Sequence, residues 1–229
     1  RETLWSDAPV SHIVVTPPVP SFPLNPDKAD WSVWDFPDVV DHWNFPGYEG
    51  KKMTVSVYSN CEQVELFLNG ESLGKQENTA DKKNTLVWEV PYAHGILKAV
   101  SYNKGGEVGT ATLESAGKVE KIRLSADRTE IVADGNDLSY ITLELVDSKG
   151  IRNQLAEELV EFSIEGDATI EGVGNANPMS IESFVANSRK TWRGSNLLVV
   201  RSGKSSGRII VTAKVKALPV ASITITQKK

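Results

Sequence analysis

Between Met53 and Gly117 apolar and polar residues alternate with a period of two. In "MTVSVYS" Met53, Val55 and Val57 share one face, and Thr54, Ser56 and Tyr58 the other. "VELFLNGESLGK" repeats the pattern through Val64, Leu66 and Leu68, then reverses at Asn69-Gly70, a dipeptide suited to a two-residue hairpin turn. Leu86, Trp88 and Val90 share one side of "NTLVWEVP", and "GILKAVSYNKGGEVGTATLES" reads as two strands joined over 103–106. Five or more short strands with turn signals between them, and no helical stripe, predict a sandwich or a small barrel.

The same grammar restarts at Lys118. Ile122 and Leu124 alternate with charged neighbours, the pattern breaks at Asp134-Gly135, and Ile141, Leu143 and Leu145 take it up again. "LVEFSIEG", "ATIEGVGN", "NLLVVRSG", "GRIIVTAKVK" and "ASITITQ" bring the expected count to about seven strands, each bounded by Gly, Asn or Asp. The "SAGK" between Leu113 and Val119 is the natural linker between 51–117 and 118–229, and the weak helical candidate lies at Asn153–Glu158. Residues 1–50 read differently. Pro17, Pro18, Pro20, Pro23, Pro26, Pro37 and Pro46 forbid a long helix and interrupt a sheet ladder. That zone is expected to be an extended segment packing on the first sandwich, with one or two short strands at most.

Composition narrows the function classes. Of 229 residues 40% are apolar and 24% charged, which suits a globular chain with a sizeable core. The net charge of −5 is spread out, with no basic stripe, so a nucleic-acid partner is not expected. No apolar stretch is long enough to span a bilayer, and no signal peptide is visible. The chain opens on Arg1 in "RETLWSDAPV" and reads as a segment of a longer protein. The lone Cys61 can form no internal disulfide or Cys-based zinc cage.

No nucleophile elbow, phosphate loop, H-E-x-x-H or dinucleotide fingerprint occurs. His12, His42 and His94 are scattered and read as surface or loop histidines. Glu65, Glu89, Glu144, Glu161 and Glu165 alternate with core positions and so fall on solvent faces, without the environment that separates the pKa values of a glycosidase pair. No catalytic residue, metal ligand or cofactor is expected. The aromatic residues carry more information, because Trp5, Trp31, Trp34 and Trp43 crowd the first zone beside Phe36, Phe45 and Tyr48. Such rings either anchor a segment that lacks regular structure or stack on sugars. Trp192, in the polar "SRKTWRGSN", is the exposed candidate of the second domain, whereas Trp88 reads as core.

The run "DHWNFPGYEGKKMTVSVYSNCEQVELFLNGESLGK" resembles the C-terminal region of glycoside hydrolase family 2 β-galactosidases of the Bacteroides type. The likeness continues through "WEVPYAHGILKAVSYNKGGEV", "IEGVGNANP" with "ESF", and "LLVVRSGKSSGRIIVTA", and the second domain is similar to bacterial immunoglobulin-like modules of the invasin type. The resemblance implies an all-β fold of two tandem immunoglobulin-like antiparallel sandwiches. It also implies a retaining parent enzyme, periplasmic or secreted, whose two glutamates lie in a (β/α)8 barrel that this chain does not contain. "LWSDAPVSHI" is similar to the stretch just after that barrel, and "PPVPSFPLNPDKADWSVWDFPDVV" looks like an insertion into the family pattern. The expected role is accessory: docking on the parent's catalytic barrel and supporting oligomer contacts. A carbohydrate-binding module is the alternative, and a surface adhesion module a third class. Trp31, Trp34, His42, Trp43, Asn44 and Trp192 are the candidate sugar-binding or barrel-docking residues.

Overall fold

A computed structural model describes residues 2–21 and 37–229, which divide into two compact units at Ser115/Ala116. In the first unit a short helix α1 (Glu2–Trp5) leads into β1 (Ser11–Val15), followed by β2 (Lys52–Ser59), β3 (Gln63–Leu68), β4 (Glu71–Glu77), β5 (Thr85–Pro91), β6 (Ile96–Asn103) and β7 (Gly106–Glu114). They form a three-stranded sheet ordered β1-β2-β5 and a four-stranded sheet ordered β4-β3-β6-β7, antiparallel throughout. The alternation sets the register. Met53, Val55 and Val57 lie beside Leu86, Trp88 and Val90 of the same sheet, and this layer packs on Val64, Leu66, Leu97 and Ala99 of the other, all buried. Asn69 and Gly70, both at positive φ, make the tight reversal from β3 to β4 that the dipeptide predicts.

The sandwich takes its first strand from the Pro-rich zone. In "SHIVV" Ile13 and Val15 alternate inward, β1 pairs with β2 from Ser11↔Ser59 to Val15↔Val55, and Val40 bridges Val15. Trp43 and Phe45 are members of the same core. Pro17, Pro18, Pro20, Pro37 and Pro46 lie outside β1.

The second unit contains β8 (Lys121–Ala126), β9 (Glu130–Val132), β10 (Leu138–Val146), β11 (Leu159–Glu165), β12 (Ala168–Gly174), β13 (Ser188–Lys190), β14 (Ser195–Ser202), β15 (Gly207–Val215) and β16 (Ala221–Lys228). One sheet runs β12-β14-β10-β8 and the other β13-β11-β15-β16-β9. Ile141, Leu143, Leu145, Val160, Phe162, Leu198, Val200, Ile209 and Val211 fill the space between them. Two of the nine strands exceed the sequence count. The run 121–132 is split because the Asp127 carboxylate takes the backbone amides of Arg128 and Tyr140, ending β8. The chain then changes sheets, and β9 pairs with β16 in parallel, the one departure from antiparallel order among the described strands. β13 is three residues long, too short to show a period. Asn153–Glu158 makes turns and no helix. Among the described residues no helix is long and apolar enough to cross a membrane.

Candidate functional site

The His42–Phe45 block has an anchoring geometry. Trp43 has none of its surface exposed, and its indole N–H donates to the Ala93 carbonyl at 2.8 Å. Phe45 meets the Trp43 ring edge-on at 6.1 Å and Tyr92 meets it at 5.0 Å and 66°, and Phe45 and Tyr92 are T-shaped to each other. The Phe45 amide donates to the Tyr92 hydroxyl at 3.0 Å, and the Ser115 hydroxyl donates to the Trp43 carbonyl. Asn44 is buried, while His42 is half-buried with its ring 4.9 Å from Phe45 and its Nδ1 accepting the Asn44 amide. With its surface wholly covered, Trp43 has no free face for a sugar ring. Trp31 and Trp34 lie outside the described residues.

Trp192 sits at a hairpin corner in the second unit. It exchanges two backbone hydrogen bonds with Ser195, both 3.1 Å, and Arg193 and Gly194 supply the positive φ that such a turn needs. A side chain at 194 would come within 2.2 Å of the Asn153 carbonyl, so this corner requires glycine. The ring is half-buried, and the Arg193 guanidinium lies over it at 4.6 Å. Trp192 thus keeps part of its surface open beside a fixed positive charge.

The carboxylates are used by the fold. Glu65 accepts from Ser72 and Tyr102, Glu89 from Thr54, and Glu144 pairs with Arg123 at 2.7 Å. Backbone amides hold several aspartates below the ordinary carboxylate range: Asn136 and Asp137 act on Asp134, Val132 on Asp137, and Ser205 on Asp167. Burial pushes the Asp147 carboxyl up, but the amides of Gly117, Ile151, Lys149 and Gly150 together outweigh it and leave the group lowered. A glycosidase general acid needs the opposite displacement. No group of three or more His, Cys, Asp or Glu side chains among the described residues is placed to hold a metal ion.

Of two sets of displayed apolar side chains, the sequence pointed only to Trp5, as one of the first-zone tryptophans. Leu4 and Trp5 on α1 are 69% and 85% exposed. The stretch 176–187 of the second unit displays Met179, Ile181, Phe184 and Val185. Neither set is periodic. The available signal was compositional, since four large apolar residues occur in "ANPMSIESFVAN" with a single charge.

Residues 122–224 match the family described as glycoside hydrolase family 2 C-terminal domain 5, and residues 50–109 match a domain of unknown function, DUF4982. The β-galactosidase BoGH2A of Bacteroides ovatus is 32% identical over 203 residues, 88% of this chain and 24% of that protein. A β-glucuronidase of Formosa agariphila is 30% identical over 205 residues, 86% of this chain and 20% of its own length. The crystal structure of a glycosyl hydrolase family 2 member from Bacteroides cellulosilyticus is 95% identical, with a TM-score of 0.92 over 99% of this chain and 30% of that one. The chain therefore spans about a fifth to a quarter of the length of these two curated relatives.

Proposed function

Because residues 122–224 are a glycoside hydrolase family 2 C-terminal domain, we propose that the two sandwiches are the accessory C-terminal part of a longer bacterial glycosidase. In this reading they carry no catalytic residue and brace the catalytic barrel of the parent. The bond cleaved belongs to a β-linked galactoside or glucuronide, the two sugar classes named among the relatives, and the parent works in the periplasm or outside the cell. The observation that carries the reading is the exposure of Leu4 and Trp5, large apolar side chains on the segment whose sequence resembles the stretch following such a barrel. A Trp left in water forgoes about 1.5–3 kcal/mol or more of burial, which docking would recover. The helix is positioned, not loose. Asn60 donates to the Ser6 and Ala8 carbonyls, Asn84 to that of Thr3, and His12 pairs with Glu2 at 3.0 Å.

Activity assays test it directly. The 229-residue chain is expected to turn over neither an aryl β-galactoside nor an aryl β-glucuronide, while the longer polypeptide hydrolyses one of them. Deleting the two sandwiches from that polypeptide should lower its melting temperature. Turnover by the short chain, or a deletion without effect on stability and activity, overturns the reading. Titration with galactose, lactose and glucuronic acid should leave Trp fluorescence unchanged at millimolar sugar. A saturable change would move the assignment to a sugar-binding module built on Trp31, Trp34 or Trp192, or on the exposed Trp5.

A further inference from the structure

The stretch 176–187 connects β12 to β13, and its backbone is fixed at many points. The Phe184 carbonyl accepts from Val173 at 2.8 Å and the Asn187 carbonyl from Phe162 at 2.8 Å. Asn175 and Asn177 side chains accept the amides of Asn177 and Met179, and Glu182 accepts the Lys190 amide and the Ser180 hydroxyl. A close approach at Gly172 lets the loop lie against β12, for a side chain there would meet the Phe184 carbonyl at 3.2 Å. Beneath the loop sits Arg189, fully buried. Its guanidinium donates to the Val173 and Glu182 carbonyls and the Ser180 hydroxyl at 3.1–3.2 Å, with the Phe184 ring 4.1 Å away.

A loop held this firmly could turn its apolar side chains inward, yet it does the reverse. Met179 is 78% exposed, Ile181 101%, Phe184 62% and Val185 80%. The single acid of the stretch, Glu182, is occupied in holding the loop, so the displayed set is uncharged. Apolar, Met- and Phe-bearing, depleted of charge and pre-organised by a buried arginine: these are the properties of an interface core whose ordering cost has already been met within the monomer.

From these features we infer that residues 176–187 form a docking knob for the part of the longer polypeptide outside these 229 residues. This rests on the accessory reading above and gives it a second, specific contact surface. Two observations favour a partner in the same polypeptide over a second copy. The chain accounts for 30% of the length of its 95% identical relative, so most of such a polypeptide is available to cover the knob. Four side chains also fall short of the roughly 800 Å² per partner that a free association needs, whereas a tethered surface acts at an effective concentration of about millimolar.

Met179 provides the probe, because Met53, the other methionine, is 2% exposed. The 229-residue chain and the longer polypeptide are treated with dilute peroxide, and sulfoxide formation is followed by peptide mass spectrometry, with hydroxyl-radical labelling of Trp5 measured alongside. Met179 is expected to oxidise rapidly in the short chain and on the order of tenfold more slowly in the longer one, independently of protein concentration. Ile181→Asp in the longer polypeptide should restore rapid oxidation. In the short chain the same variant should melt at the wild-type temperature, since Ile181 is wholly exposed there. Equal Met179 rates overturn the inference: with Trp5 protected the accessory reading stands without it, and with Trp5 also unprotected both fall. Protection that disappears on dilution assigns the knob to a second copy and equally overturns it.

Discussion

Replacing Trp43 separates anchoring from ligand binding, because its environment fixes what each replacement removes. Trp43→Phe keeps a ring between Phe45 and Tyr92 but removes the donor to the Ala93 carbonyl. An unmatched buried acceptor costs about 1–3 kcal/mol. Trp43→Ala removes the ring as well, and buried Trp-to-Ala changes cost about 3–5 kcal/mol because the cavity closes only in part. For a unit of this size each kcal/mol moves the melting temperature by about 4 °C, so the Phe variant should melt about 4–12 °C lower and the Ala variant further still. The two cores share no residue. Hydrogen exchange resolved by peptide should therefore show lost protection in residues 2–115 and little change in 116–229. A Trp43→Ala variant melting within about 1 kcal/mol of wild type would refute the anchoring argument, for no fully buried tryptophan can be so cheap. Equal loss of protection in both units would refute the assignment of Trp43 to the first core alone.

Three further outcomes are expected in the second unit. Arg189→Lys, which keeps the charge but cannot match three acceptors with a planar fork, should speed amide exchange across 176–187 and cost about 1–3 kcal/mol. Asp147→Asn should destabilise by a similar ~1–3 kcal/mol, since one carbonyl replaces two carboxylate oxygens facing backbone amides. Because the folded Asp147 carboxyl titrates below its unfolded value, its stabilisation is complete above about pH 4 and disappears as pH falls through the lowered value, so acid melts of the Asn variant should be flatter there. Gly194→Ala should lower the second unit's melting temperature by the equivalent of at least about 1–2 kcal/mol, read by calorimetry.

The fold was legible wherever one face of a strand is buried, because period two records that asymmetry directly. Met53-Val55-Val57, Leu86-Trp88-Val90 and Ile141-Leu143-Leu145 all point inward as their spacing predicts. Legibility failed where the determining contacts are long-range. The division of 121–132 into β8 and β9 depends on an Asp127 carboxylate reaching Tyr140, and β13 owes its three residues of ladder to the neighbouring β11. Of the candidate aromatics, Trp192 stood out in sequence by its polar neighbours, whereas Trp43, in a zone crowded with aromatic residues, could anchor the chain or stack on a sugar. What separates them is the partner across space: Tyr92 and Ala93 enclose the first, while a tight turn holds the second at a corner.

The same distinction between enclosed and displayed apolar groups connects the fold to the proposed role. Both units satisfy their own cores, so neither needs Leu4, Trp5, Met179, Ile181, Phe184 or Val185 for folding. A chain selected only for stability would lose little by making these positions polar, and would gain solubility. Yet the local structure invests in holding them outward, with Asn60 and Asn84 bound to the α1 segment and a desolvated arginine placed beneath 176–187. A buried guanidinium is expensive unless its geometry serves a purpose. In the 176–187 loop that purpose is a fixed backbone, and a fixed backbone with apolar tips favours a surface that arrives already shaped. Under the role proposed above, the catalytic part of a covalently linked glycosidase is that surface.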